Sequence, residues 1–324
     1  MRIGVGLPTS TPGVRGVPGN EGVRGVPGNE GVRGVPGNEG VRGVPGNEGV
    51  RGVPGDAARR GPELVEWARR AEAGPFTSLG VVDRLVYDAT DPLVALAAAA
   101  AVTRRVRLVT MVVIGPIRPP AVLAAQAASI DALSEGRLTL GVSLGARRDD
   151  YAAAGAEWAD RGRRLSDQLA VMREIWEDGR IGPRPVTPGG PPLLVGGGSG
   201  PSFARAARYA DGYVHGGGPP RAFATAAGRA RSAWTDAGRP GQPELWGQSY
   251  FSLADPEAGA AYLRHYYAFT GVFAERVAAG LLDSPKAIRE HLAGYGDAGC
   301  DELVLLPATS HPAELDRLAD VLAG

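Results

Sequence analysis

The stretch from Leu193 to Val214 admits few arrangements. Leu193-Leu194-Val195 is a short apolar run closed by Gly196-Gly197-Gly198-Ser199-Gly200-Pro201. A helical pattern follows from Ser202 to Ala210, and Asp211-Gly212-Tyr213-Val214 opens a second apolar run. A short, wholly apolar run ended by glycine suits a buried parallel strand, and parallel neighbours need a crossover helix between them. Pro201 fits the first helical position, and Phe203, Ala206, Ala207 and Ala210 keep the helical spacing. Gly212 is expected to cap that helix before the next strand. Gly196, Gly197, Gly198 and Ser199 then lie where free amides and the helix dipole converge, a place that binds phosphate well. The same glycines also suffice for a tight turn with no ligand, and both readings stand at this point. A G-x-G-x-x-G spacing fails, because neither Gly196 nor Gly198 is followed by a glycine five residues on, and a P-loop fails because Lys286 is the only lysine.

The rest of the chain repeats this unit. Apolar runs at Ile3–Leu7, Leu79–Val82, Arg107–Ile114, Arg137–Val142, Glu244–Leu253 and Glu302–Leu306 join the two already named, giving eight. Helical patterns stand between most of them, including Glu63–Ala73, an alanine-rich one after Asp91-Pro92, one from Pro119-Pro120 to Leu133, and Gly162–Glu177. Eight β units with intervening helices predict an α/β protein, a (β/α)8 TIM barrel; an open doubly wound sheet is the alternative. The pattern is expected to form a single domain over residues 1–324.

One segment breaks it. From Gly13 to Gly55 glycine stands at every third position in near-identical nine-residue copies of Gly-Val-Arg-Gly-Val-Pro-Gly-Asn-Glu, inserted after the first strand. That is the composition of a collagen triple helix. A polyproline-type rod of this length would extend roughly 130 Å at about 3.1 Å per residue. The ends of the segment instead have to meet, because the first strand and the helix near Pro62 belong to one barrel. Residues 13–57 are therefore read as a flexible Gly-X-Y insertion with almost nothing to bury; a collagen-like interaction protein carrying a passenger barrel is the competing reading.

Composition excludes several functions. Thirty-five basic and 35 acidic residues balance, so no partner nucleic acid or membrane surface is expected. The longest uncharged apolar run, Pro92–Thr103, is too short to span a bilayer, and the N-terminus lacks a signal-peptide core, so the expected location is cytoplasmic. A single cysteine, Cys300, rules out an internal disulfide and a cysteine-based zinc site. His215, His265, His291 and His311 lack metal spacing, and no Gly-x-Ser-x-Gly elbow occurs. In a barrel the chemistry sits at the carboxyl ends of the strands. Those ends offer Asp83 and Arg84, Met111 to Gly115, Ser143, Gly145, Arg147 and Arg148, the glycine loop, His215, and Thr309 to His311.

Read together, Leu79-Gly-Val-Val-Asp-Arg84, Asp91-Pro-Leu-Val-Ala-Leu96, Arg105-Val-Arg-Leu-Val-Thr110, Ala125 through Ser134-Glu-Gly-Arg to Val142, Arg161-Gly-Arg-Arg-Leu165, the glycine loop and Ala210-Asp-Gly212 resemble one known family. They are similar, in order and spacing, to the bacterial luciferase-like flavin- or deazaflavin-dependent oxidoreductases. The resemblance covers nearly the whole chain outside the repeat. It implies a (β/α)8 barrel with the cofactor, the deazaflavin coenzyme F420 or FMN, at the strand carboxyl ends. Its phosphate would rest on Gly196, Gly197, Gly198 and Ser199, with Met111, Val112, Ser143 and Gly145 also binding it. A bulged or non-prolyl cis peptide is implied near Met111-Val112. Asp83, Arg84 and His215 are the candidate catalytic residues.

The sequence also departs from the family. Several members have histidine where Arg84 stands and an acidic residue near Ala146, so the histidine–carboxylate proton-transfer pair is not evident. Arg84, Arg147 and Arg148 are offered instead to an anionic substrate or cofactor tail, against the alternative that the last two pair with Asp149 and Asp150 on a solvated loop. The implied reaction is hydride transfer between reduced deazaflavin or flavin and a small-molecule substrate. A reduced-FMN monooxygenase using oxygen is the alternative, and a flavin-binding protein without turnover a further one. Partners in keeping with this are a flavin or deazaflavin reductase and a second copy in a homodimer. The loop Gly145–Arg161 and the segment Tyr262–Leu282, with Tyr266, Tyr267, Phe269 and Phe273, are expected to wall the substrate pocket.

Overall fold

The computed structural model describes residues 1–10 and 57–324. The readings placed on the repeat, residues 13–57, lie outside the described residues apart from Ala57. In chain order the elements are β1 (Arg2–Gly6), α1 (Ala57–Ala73), β2 (Ser78–Val81), α2 (Pro92–Val102), β3 (Arg107–Thr110), β4 (Val113–Ile114), α3 (Pro120–Leu133) and β5 (Leu138–Ser143). They continue with α4 (Arg148–Ala153), α5 (Arg161–Asp178), β6 (Leu193–Gly196), α6 (Gly200–Tyr209), β7 (Gly212–His215) and α7 (Pro220–Asp236). The last are β8 (Glu244–Phe251), α8 (Pro256–Tyr266), α9 (Phe273–Ala279), α10 (Pro285–Asp297), β9 (Glu302–Pro307) and α11 (Ala313–Ala323).

Every strand pairing is parallel, in the order β3-β2-β1-β9-β8-β7-β6-β5-β4, and β3 also pairs with β5. That last pairing closes the sheet. β3 and β4 are two halves of one strand, parted at Met111-Val112, where the peptide bond is cis. The result is an eight-stranded (β/α)8 barrel, as the alternating pattern predicts. Its interior is filled by Val109, Met111, Leu194, Val214, Trp246, Val304 and Leu306, while a second apolar layer packs the outer strand faces against the helices.

The amino-terminal end of the barrel is tied by charge. Glu302 is fully buried, forms an ion pair with Arg2 Nε at 3.0 Å and accepts a hydrogen bond from Thr77 Oγ1 at 3.0 Å. Arg107 lies over the Trp246 ring, 4.8 Å from its centroid. Several residues of the quoted motifs serve the scaffold. Asp211 Oδ2 accepts from Leu193 N at 2.7 Å and from Arg173 at 2.7 Å, fixing the register of β6 against β7. Buried Asp131 accepts from both the amide and the hydroxyl of Thr187. Arg137 spends its guanidinium on the carbonyls of Thr103, Val106 and Ser134.

One local expectation is corrected. Gly212 does not cap α6, which ends at Ala210 in extended backbone. It starts β7 instead, and glycine is needed there because a Cβ would meet Glu244 O at 2.3 Å. The loop after β5 also differs from a plain loop, since Arg148–Ala153 is helical.

Candidate functional site at the barrel mouth

Two recesses compete for attention. The larger, about 1060 Å³, is a groove between α6 and α7 on the outer helix face. The smaller, about 540 Å³, lies at the carboxyl ends of the strands. In a barrel the loops after the strands converge only at that end, so the smaller cavity is the one in which side chains from several strands meet. It is lined by Met111, Val112, Ser143, Gly145, Gly196, Gly197, Gly198, Ser199 and His215. All eight candidate cofactor residues and one of three candidate catalytic residues thus meet in one place.

The glycine loop is shaped by its neighbours. Gly197 has φ +134°, and a Cβ there would lie 2.4 Å from Ser202 Oγ. That region is essentially open to glycine alone. Tyr213, buried on β7, donates its hydroxyl to Gly197 O at 2.8 Å and so fixes the turn from below. Burial pushes the Tyr213 phenol up to about 12, which keeps it a donor. Ser199 is the N-cap of α6 but makes no side-chain cap; its hydroxyl lies 2.9 Å from that of Ser202. Within the first turn of α6, Pro201 has no N–H and the amides of Ser202 and Phe203 both bond Ser199 O, which leaves the Gly200 amide to an outside acceptor. Opposite, Gly145 has φ +69° and donates its amide to Ser143 Oγ at 3.2 Å.

His215 supplies the titratable group. Its ring stands edge-on to Phe223, with centroids 5.9 Å apart. Burial pulls its pKa below the ordinary histidine value, partly offset by a hydrogen bond with the Gly217 backbone. The ring is thus neutral at pH 7, and its Nε2 is buried without a hydrogen-bond partner. A buried polar atom left unpaired beside a cavity is an opening for a ligand's hydrogen bond. Sequence reasoning missed Tyr213 and also Gln248, which lines the cavity and donates to Gly216 O at 3.2 Å. Tyr213 follows the motif Asp211-Gly212, and its place one strand over from the glycine loop is the signal that could have found it.

Asp83 and Arg84 follow β2 and do not line this cavity. Asp83 accepts from Ile114 N at 2.9 Å and from Arg118 at 3.2 Å, and Arg118 reaches on to Asp91, the N-cap of α2, at 2.9 Å. Burial raises the Asp83 carboxyl above its usual value, against the pull of Arg118. Arg84 is buried beside Tyr87 and Tyr266 and donates to Tyr266 O at 2.7 Å. Around it Tyr250, Tyr262, Tyr266 and Tyr267 are packed ring to ring, and burial raises the pKa of each phenol. Tyr266 and Tyr267 thus stand together as expected, while Phe269 and Phe273 are half exposed. Arg147 pairs with Asp149 and Asp150, yet it is buried and not on a solvated loop. Arg148 lies over the Trp158 ring, 4.8 Å from its centroid. Among the described residues no group of three or more His, Cys, Asp or Glu could hold a metal ion, and no helix is long and apolar enough to cross a membrane.

The luciferase-like monooxygenase family model matches residues 47–303, most of the chain. The chain belongs to the luciferase-like monooxygenase family. The collagen triple helix repeat model matches residues 8–64, the region of the insertion. An uncharacterized protein of Mycobacterium tuberculosis is 33% identical over 189 residues, covering 47% of this chain and 65% of that protein. A pyrimidine monooxygenase of Methylobacterium radiotolerans is 33% identical over 135 residues, covering 36% of this chain and 35% of the relative. An F420-dependent glucose-6-phosphate dehydrogenase of Amycolatopsis mediterranei is 33% identical over 180 residues, covering 48% and 53%. The chain therefore spans from about a third to just under two thirds of these relatives. Among solved structures, monooxygenase RslO1 from Streptomyces bottropensis is 23% identical with a TM-score of 0.70, over 100% of this chain and 98% of that one. An F420-dependent secondary alcohol dehydrogenase in complex with an F420-acetone adduct is 18% identical with a TM-score of 0.68, over 81% and 94%. These likenesses show a shared barrel.

Proposed function

We propose that this luciferase-like protein is an oxidoreductase that transfers a hydride between a bound deazaflavin or flavin and a small organic substrate. The observation that carries the reading is the single cavity formed by the Gly197 turn, the N-terminus of α6 at Ser199 and Ser202, Met111-Val112 and His215. Its features fit such a cofactor: a turn that a Cβ would fill, a helix N-terminus without a side-chain cap, and an unpartnered buried imidazole nitrogen. Gly196, Gly197, Gly198 and Ser199 would hold the phosphate, Met111, Val112, Ser143 and Gly145 would flank the ring system, and His215 would give or take one hydrogen bond. The bound cofactor supplies the hydride chemistry. The protein's share is to orient, to exclude water and to place the substrate. Asp83 acts through others in this reading, since its carboxylate holds Ile114 N and Arg118.

The relatives support either cofactor, because one is named for F420 and another as a monooxygenase. Exposed Arg148, in the loop that follows β5, favours the acidic-tailed deazaflavin. A reduced-FMN monooxygenase is the second reading, favoured by the end-to-end likeness to RslO1, and it would need a flavin reductase as partner. We further propose that residues 1–324 form one barrel domain, cytoplasmic and homodimeric, with residues 13–57 as an insertion that catalysis does not need. Anaerobic mixing with reduced F420, or with reduced FMN followed by oxygen, tests the reaction class. Substrate-dependent oxidation of F420 without oxygen supports hydride transfer. Oxygen-dependent product formation with FMN alone would replace it.

A further inference from the structure

Arg84 differs from the other buried cations of this barrel. It is 6% exposed and has no carboxylate within ion-pair range among the described residues. Arg147, also buried, and the partly buried Arg107 and Arg118 each pair with at least one carboxylate. Arg205, which lacks one, spends its Nε on Ser166 Oγ and an Nη on Gly162 O. Arg84 instead packs against the rings of Tyr87 and Tyr266, 4.2 and 4.7 Å from their centroids, and bonds only through Nη1 to Tyr266 O. Its Nε is buried with no partner. A desolvated guanidinium with no counter-charge is costly unless an anion joins it. The side of the fork left over, Nε with the adjacent Nη2, is the side that grips a carboxylate by two parallel hydrogen bonds.

A second cation stands beside it. The charge of Arg84, after burial, helps to hold Arg147 below the usual arginine pKa. Arg147 Nε is also buried without a hydrogen bond, lying 3.8 Å from Asp150 Oδ2. Arg147 follows Gly145 and Ala146, both of which line the cavity at the barrel mouth. Its cover is Phe269, whose ring centroid is 4.6 Å from the guanidinium and which is 42% exposed, so it can swing aside toward water. The two cations thus stand in the loops after β2 and β5, outside the lining of the strand-end cavity but next to it through Gly145 and Ala146.

We propose that Arg84, with Arg147 beside it, binds the carboxylate of a small aromatic substrate acid, whose ring lies among Tyr87, Tyr266 and Tyr267. The inference rests on the proposed function for calling the guest a substrate; the binding site rests on the arginines alone. The test is calorimetric titration of the full-length protein with benzoate, with benzamide as its uncharged counterpart, and with inorganic phosphate. Benzoate is expected to bind at least about tenfold more tightly than either, the ratio that one charge-assisted pair supports. Arg84→Lys, which keeps the charge and loses the fork, should reduce that preference about tenfold. Arg84→Met should abolish it while leaving the melting temperature equal or higher, since it removes an unpaired buried charge. If Arg84→Met does not fold, the wild-type ratio and Arg84→Lys decide. Equal binding of benzoate and benzamide, preference for phosphate, or a preference that survives Arg84→Lys would each overturn the assignment. Repeating the titration with cofactor bound separates the sources of carboxylate. Benzoate binding alongside F420 supports a substrate site, whereas competition with F420 but not with FMN would hand the arginines to the cofactor tail. Cofactor binding with no benzoate binding removes this inference and leaves the proposed function standing, and the converse removes the function alone.

Discussion

Gly197→Ala tests the cradle at its most constrained point. At φ +134° an L-residue is strained, and its Cβ would meet Ser202 Oγ at 2.4 Å and Ser202 Cβ at 2.8 Å. The backbone term alone is about 1–3 kcal/mol. The hydroxyl can rotate, but Ser202 Cβ can retreat only by moving the first turn of α6, and with it the Gly200 amide meant for phosphate. Losing one amide hydrogen bond to a charged group is worth roughly 1.5–3 kcal/mol, or about ten- to a hundredfold in affinity. Gly198→Ala is the internal control for stability, because a Cβ there meets nothing within 4 Å and φ is not positive. Thermal melts and cofactor titration followed by fluorescence read both effects. The expectation is a lowered melting temperature and at least tenfold weaker binding for Gly197→Ala, with the Gly198→Ala melt unchanged. Unchanged affinity in a folded Gly197→Ala protein would refute the cradle and return the loop to a plain turn.

Three further outcomes follow from the same geometry. Tyr213→Phe strips Gly197 O of its donor, which should cost about 1–2 kcal/mol of stability and weaken cofactor binding severalfold, measured by melts and titration. Glu302→Ala takes from Arg2 its buried ion-pair partner and from Thr77 one of its two acceptors, so unfolding in urea should show a loss of about 1–3 kcal/mol with cofactor affinity unchanged, because the barrel floor is far from its mouth. His291 has its pKa lowered to about 4 by burial; between pH 6.5 and 4 only the unfolded state takes up its proton, so stability is lost as pH falls through that window. After allowance for screening of a partly exposed ring the loss is about 2 kcal/mol, and His291→Phe should flatten the acid limb of the stability–pH curve.

The barrel was legible because its signal is periodic. Short apolar runs separated by helical patterns leave little choice, and the strands formed within a residue or two of the runs that predicted them, apart from the third, which divides at Met111-Val112. The cavity lining was legible for the same reason, since Ser143, Gly145, Gly196 and His215 stand where strands end. What the sequence hid were tertiary reasons for a residue. Gly212 looks like a helix cap but answers to Glu244 on a neighbouring strand. Arg147 beside two aspartates looks like a solvated ion pair, yet Phe269, more than a hundred residues on, covers it. Arg84 gave no sign that its counter-charge would be absent among the described residues. Periodicity encodes local structure and the face it buries, whereas these depend on which distant side chain arrives opposite.

The central claim, that the strand-end cavity of this luciferase-like chain holds a flavin-type cofactor, meets its most direct test in one titration. Purified protein is titrated in parallel with F420 and with FMN, each followed by its own absorbance and fluorescence, and each repeated on Gly197→Ala. The account predicts saturable binding of at least one cofactor, F420 before FMN, that Gly197→Ala weakens at least tenfold. FMN binding alone would move the chemistry to the monooxygenase reading, and binding of neither by the folded wild-type protein would contradict the account.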